Sequence, residues 1–302
     1  MNRLVYPLIS LIVIVVVIAM VMSQSLMVVQ RLARATAVSG QVVVHRPGGS
    51  GFEPLPENAL VAAGAVVQTG PQGAATLNWV DGTRLVVGPD TSMTVLRCQV
   101  NRDSSETSLF RLSAGKLLVR VRKILAGQSK FEISTPTATA GVRGTIFTVQ
   151  VDAAGQTQVA VLEGKVNLEA GGQGLEVTPG YEAVAGSGSA QVRPLSAAAR
   201  SSLTASPAAL GPYVTLDQPR AGATVAPGRL EVSGQVEPGA RLTLNGQAVI
   251  PGFRGRFRSA VQVPSGALTF TLRLLATDER NYQTEIARDL TVSAIASNAP
   301  AR

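Results

Sequence analysis

The chain offers little for covalent catalysis. It has one histidine, His45, and one cysteine, Cys98. A Ser-His or Cys-His pair would therefore rest on His45, which stands beside Arg46 and Pro47 and reads as a solvated loop residue. Cys98 can form neither an intramolecular disulfide nor a thiolate metal cluster, and within 93–100 it reads as a small strand residue. Carboxylates such as Asp81, Asp152 and Glu163 fall in polar or turn positions without paired spacing. No phosphate-cradling loop or dinucleotide glycine pattern occurs. The chain is read as a non-enzyme, with no cofactor and no metal expected. The side chains with chemistry to offer are basic. In 116–123, Leu117, Val119 and Val121 alternate with Arg120 and Arg122, and Lys116 and Lys123 flank them. One reading is a solvated outer face whose charge discourages edge pairing. The other is an anion-binding stripe for lipid headgroups or acidic glycan.

The net charge of +8 suggests nucleic acid, but its distribution argues against it. Residues 36–195 carry 13 basic and 12 acidic groups, and residues 211–294 carry 9 and 7. The remaining excess sits at Arg3, Arg31, Arg34, Arg200 and Arg302, in the flanks and a linker. Neither part is strongly basic, so no nucleic-acid partner is expected.

The elements that must position these residues are short strands. At 302 residues the length suits two domains. Glycine and proline punctuate the chain every few residues after position 40, as strands and turns require. Ahead of them, Leu4 to Gln30 carries no charge. A spanning helix needs about 20 apolar residues, so this run predicts a single-pass signal-anchor in the inner membrane, with the rest of the chain extracytoplasmic. The alternative is a secreted or periplasmic chain cleaved at the A-x-A-like Ala35-Thr36-Ala37. The alternation predicts strands at 74–79 and 84–87 around an Asp81-Gly82 turn, then at 93–100, 109–124 and 146–151. In the last of these, Phe147, Val149 and Val151 share a face. The Ser- and Ala-rich 196–210 reads as a linker, with a short helix over Ser196 to Ser206 as its alternative. Beyond it, alternating strands with turns near every ten residues resemble a bacterial immunoglobulin-like sandwich.

Six ordered blocks carry a resemblance to the FecR family of bacterial envelope domains. They are Val67-Gln68-Thr69-Gly70, Ala74-Ala75-Thr76-Leu77, Asp81-Gly82-Thr83-Arg84-Leu85, Leu112-Ser113-Ala114-Gly115-Lys116-Leu117, Thr135 to Val149, and Val161-Leu162-Glu163-Gly164-Lys165-Val166. The fold class expected is all-β: a transmembrane helix, a FecR-like β-sandwich or short β-solenoid, then the immunoglobulin-like sandwich. The expected boundaries are 1–34 for the anchor, 36–195 for the FecR-like domain, 196–210 for the linker, 211–294 for the second sandwich and 295–302 for a disordered tail. The resemblance implies an envelope binding or scaffold protein that presents both modules to a protein or glycan partner. Its alternative is a transmembrane signalling subunit acting with a separate sigma-regulating partner. The classical members carry an anti-sigma segment ahead of the membrane helix. Only about three residues precede the apolar run here, so the resemblance is expected to cover the extracytoplasmic module alone. It also implies a second possibility at Gly144-Thr145, where some relatives are thought to break their own chain. The Thr145 hydroxyl would attack the Gly144 carbonyl in an N–O acyl shift, with Arg143 near the oxyanion. The other reading makes Gly144 a tight turn, pairs Arg143 with a carboxylate and lets Thr145 begin a strand.

Overall fold

The computed structural model describes Ile14 and residues 28–122, 128–204 and 211–293. The apolar run up to Met27, Lys123, the end of the expected linker and the expected disordered tail lie outside the described residues. Among the described residues no helix is long and apolar enough to cross a membrane.

One strand organises the larger part. Glu106–Arg120 pairs through its first half with Ser92–Val100 (antiparallel) and Lys130–Ser134 (parallel). At Gly115, where φ is +86°, it bends into a second set of partners, Arg84–Val87 and Ile146–Val151. Strands extend outward from both halves, so the body is one mixed sheet folded across this strand. Nearly all its pairings are antiparallel, and residues from both halves meet in a single core. The several pairings of Glu106–Arg120 close the strands of the body on themselves around that core. Trp79 meets Phe110 edge-on at 5.5 Å, and Phe110 meets Phe131 at 5.3 Å. Phe147, Val149 and Val151 all point into this core, as their alternation predicts.

The body begins earlier than the sequence suggested. Val29–Gln30 pairs with Val100 and Gln99, and Ala33–Ser39 pairs with Leu60–Val61 and Ala74–Asn78. Ala33 and Ala35 are fully buried. The expected anchor boundary at 34 therefore runs into the core, because an uncharged Val28-Val29 reads equally well as the end of an apolar helix or as a strand. The A-x-A-like site lies inside a core strand, and a chain cut there would lose two pairings. His45 is also corrected: it ends the strand Val42–His45 and packs against Phe52 at 5.6 Å.

The expected linker is partly a helix, Ala197–Thr204. Ser196 caps it, its hydroxyl accepting from the Ala199 N–H at 3.2 Å. Buried Glu182 accepts from Ser196 at 2.9 Å, from Arg193 at 2.7 Å and from Gln158 at 3.0 Å. Ala199 and Leu203 cover Leu118, Ile146 and Ala160 on the outer face of the sheet. Beyond residue 210, a three-stranded sheet (Val214–Gln218, Gly228–Val236, Arg256–Val263) faces a five-stranded one over a separate core that holds Val232, Phe257, Leu272 and Leu290. The turn residues Gly228, Gly239, Asn245-Gly246, Gly255 and Gly266 all fall at strand ends with positive φ.

Leu203→Ala empties a fully buried site and should cost about 2–5 kcal/mol in denaturant unfolding. Glu182 supplies a pH dependence. Burial pushes its pKa up, but the bonds from Arg193 and Ser196 outweigh this and hold it below the ordinary 4.5. Its contribution is therefore present above pH 4.5 and lost as pH falls through the depressed folded value. Amide exchange in the helix should speed up over that acidic window, and Glu182→Gln should show the loss already at neutral pH.

Candidate functional site

The chemistry of this chain gathers where the two parts meet. The hairpin 79–83 is tied locally, since Asp81 accepts from the Thr83 N–H at 3.1 Å and from its hydroxyl at 2.8 Å. Gly82 at the tip leaves room for the second domain. A Cβ there would stand 2.7 Å from the Glu237 carboxylate, so glycine is required by the close approach. Arg84, two residues on, is buried and donates to the Asn78 side chain at 2.7 Å. Burial first, and the neighbouring Arg120 charge second, lower its pKa to about 10.

Arg120 is the centre of the junction. Its two terminal nitrogens grip both oxygens of Glu237, at 3.0 and 3.2 Å, a bidentate pair. They also donate to Asp278 at 2.7 Å and to the Gly211 carbonyl at 3.1 Å. All three charged side chains are buried. Burial raises the Glu237 pKa, opposed by Arg120 and Arg84. Arg84 and Arg120 together thus face Glu237 and Asp278. One further set of contacts lies within the body beside the junction, and another crosses it. Arg31 pairs with Asp81 and, at 2.9 Å, with Glu106. Glu163 accepts from the Tyr282 hydroxyl at 2.6 Å and pairs with Arg280 at 2.7 Å.

The basic residues singled out in the sequence do not form one surface. The alternation is as expected, with Leu117, Val119 and Val121 in the core. On the opposite face the helix covers Leu118 and the second domain covers Arg120. Arg120 is consumed in buried ion pairs. Lys116 is half-buried, and burial lowers its pKa. Arg122 is exposed beside Glu279 and Arg280, and Lys123 lies outside the described residues. Arg143 is exposed on a separate groove shared with Lys130, Glu132, Lys165 and Glu176. Glu237 and Asp278 were missed. Each sits in a turn, and nothing in local sequence links either to position 120.

Gly144 and Thr145 occupy a closed corner. Gly144 has φ of +71°, and Thr145 is fully buried with its hydroxyl donating to the Lys165 carbonyl at 2.8 Å. A Cβ on Gly164 would come within 2.8 Å of both the Gly144 oxygen and the Thr145 hydroxyl. Thr145 therefore joins two strands, with its hydroxyl proton directed at a carbonyl and not at a base. Among the described residues no cluster of His, Cys, Asp and Glu could hold a metal ion.

With this geometry in view, comparison with known proteins adds a family. Residues 65–167 match the FecR protein family. The match opens just ahead of the Val67 block and ends just after Val166, so it is narrower than the 36–195 expected. The strands before and after it complete the same core. No curated protein matches the chain. Among solved structures, a candidate anti-sigma factor from Parabacteroides distasonis is similar in two crystal structures, each 17% identical, with TM-scores of 0.38 and 0.36. Each alignment covers 43% of this chain and 59% of that one, so this chain spans less than two thirds of that protein's length. A Ca2+-stabilized adhesin, with which an Antarctic bacterium binds ice, aligns over 90% of this chain and 95% of its own at 12% identity and a TM-score of 0.20.

Arg120→Ala would leave Glu237 and Asp278 buried without their main partner and should cost about 3–5 kcal/mol. Adding Glu237→Gln and Asp278→Asn should recover most of that loss in the same unfolding titration. At the other corner, the purified chain should keep one intact mass through prolonged incubation, and Thr145→Ala should lower its melting temperature. A fragment beginning at Thr145 would instead establish scission at that bond.

Proposed function

We propose that this chain is a FecR-type signalling subunit of the bacterial envelope. It is anchored in the inner membrane by the apolar run, with both β parts extracytoplasmic, and it acts with a separate sigma-regulating partner. The second part serves as an immunoglobulin-like module that receives an envelope protein or glycan. The observation that carries this reading is mechanical. Arg120 fixes the second sandwich to the FecR-like body, and Arg31, the first charge after the uncharged run, is pinned to Asp81 and Glu106 in that body. A load on the sandwich therefore reaches Arg31 through ion pairs and paired strands. A scaffold that presents two modules gains from slack between them, whereas a transmitter needs stiffness. The family match at 65–167 supports the same choice. Arg120, Glu237 and Asp278 are held in ion pairs, which suits holding and not proton transfer, so no catalytic role is proposed.

The test is genetic. In the bacterium that carries the gene, its deletion should change transcription from sigma-dependent promoters. A Gly-Ser insertion between Met27 and Val28 should reproduce that change while the protein stays folded and membrane-bound. If deletion leaves sigma-dependent transcription untouched, the signalling reading fails and the scaffold reading replaces it.

A further inference from the structure

A groove of about 430 Å3 opens between the body and the second sandwich, within the range of small-molecule sites. Val29, Leu32, Leu60 and Val80 line it, each 42–59% exposed, so the groove is rimmed by apolar side chains left in water. Trp79, almost wholly buried, lines it from the body. From the second sandwich comes Tyr213, whose buried hydroxyl has no hydrogen-bond partner among the described residues. Arg34 also lines the groove. The site is thus apolar with an unsatisfied donor and a cation, which suits an amphipathic molecule with oxygen acceptors at one end.

Its position indicates the source of that molecule. The uncharged run extends to Gln30, and the groove wall includes Val29 and Gln30 from that run, then Leu32 just after it. Two lining residues thus belong to the run itself. No spacer separates this face from whatever the run is buried in. We propose that the groove is seated on the membrane surface and takes an acyl chain of a glycerophospholipid from the adjoining leaflet. The ester or phosphate oxygens accept from the Tyr213 hydroxyl, and Arg34 attracts the phosphate. The proposal rests on the membrane-anchored reading above, and adds that the body lies on the bilayer and does not stand clear of it. The lipid would then bridge the body and the second sandwich at the face next to the anchor.

Trp79 is the only tryptophan, so its emission reports on this groove without a label. The full chain is reconstituted into vesicles of phosphatidylethanolamine and phosphatidylglycerol, with and without bromine on the acyl chains. Trp79 emission should be quenched in the brominated vesicles. Leu60→Glu with Val80→Glu changes only exposed side chains, and should restore emission to the unbrominated level while the chain still sediments with the vesicles. Tyr213→Phe keeps the ring and should weaken the quenching without lowering the melting temperature. Equal emission in both vesicle types, from protein that sediments, would overturn the lipid groove and leave the anchor standing. Quenching unchanged by the double substitution would overturn it as well. Protein that fails to sediment would remove the anchored reading itself.

Discussion

Burying a guanidinium costs several kcal/mol unless charge and hydrogen bonds replace its water. Arg120 meets that condition only through the second domain, which supplies Glu237, Asp278 and the Gly211 carbonyl. Pulling the domains apart would return these groups to water, so the pairs themselves contribute little to holding the parts together. What they impose is register. Any other docking would cover Arg84 and Arg120 without their acids, or the acids without their arginines. The bidentate Arg120–Glu237 contact also fixes orientation, since both oxygens must stay in the guanidinium plane. Apolar contact supplies the adhesion, notably Tyr282 against the cluster of Leu118, Ile146 and Leu203.

That register extends to the start of the chain. The Asp81 hairpin whose tip admits Glu237 also receives Arg31, and Arg31 pairs as well with Glu106 at the start of the strand Glu106–Arg120. Burial raises the Glu106 pKa while Arg31 pulls it down, so this acid too depends on its partner being in place. One hairpin thus touches both the second sandwich and the residues that follow the apolar run. Between those two contacts the hairpin is closed by its own bonds from Thr83 to Asp81.

The sequence made the strands legible and the junction illegible, for one physical reason. Strand alternation and turn chemistry are local. Ile146–Val151, Arg84–Val87 and Arg241–Leu244 could therefore be read from period and punctuation. Alternation also placed Arg120 opposite the core, but it cannot say what covers that face. The cover comes from positions 91 and 117 residues or more away in sequence. The helix at Ala197–Thr204 stood only as the alternative to a linker, because its Ser- and Ala-rich composition has little apolar bulk, and Ala199 and Leu203 do the packing. The entry to the body was hidden for the opposite reason, since Val28-Val29 continues an apolar run without a break.

The placement of the FecR-type blocks carries a last consequence. Within 65–167, the Asp81-Gly82-Thr83-Arg84 block supplies the hairpin tip and Arg84, and the strand after the Leu112 block supplies Arg120. Arg84 and Arg120 are neighbours across the same strand pair, directly opposite in register. Two like charges at that spacing repel, and the repulsion contributes to the lowered Arg84 pKa. A soluble body alone would gain from replacing either one. The pair is favourable only when an acidic partner lies over it, so this face of the FecR-like body is built to be covered. In this chain the cover is its own second sandwich, joined by a helix that packs on the same outer face. The requirement is set by the charges and not by the fold of the cover, so any module bringing two carboxylates over Arg84 and Arg120, with a gap-free contact at Gly82, would satisfy it.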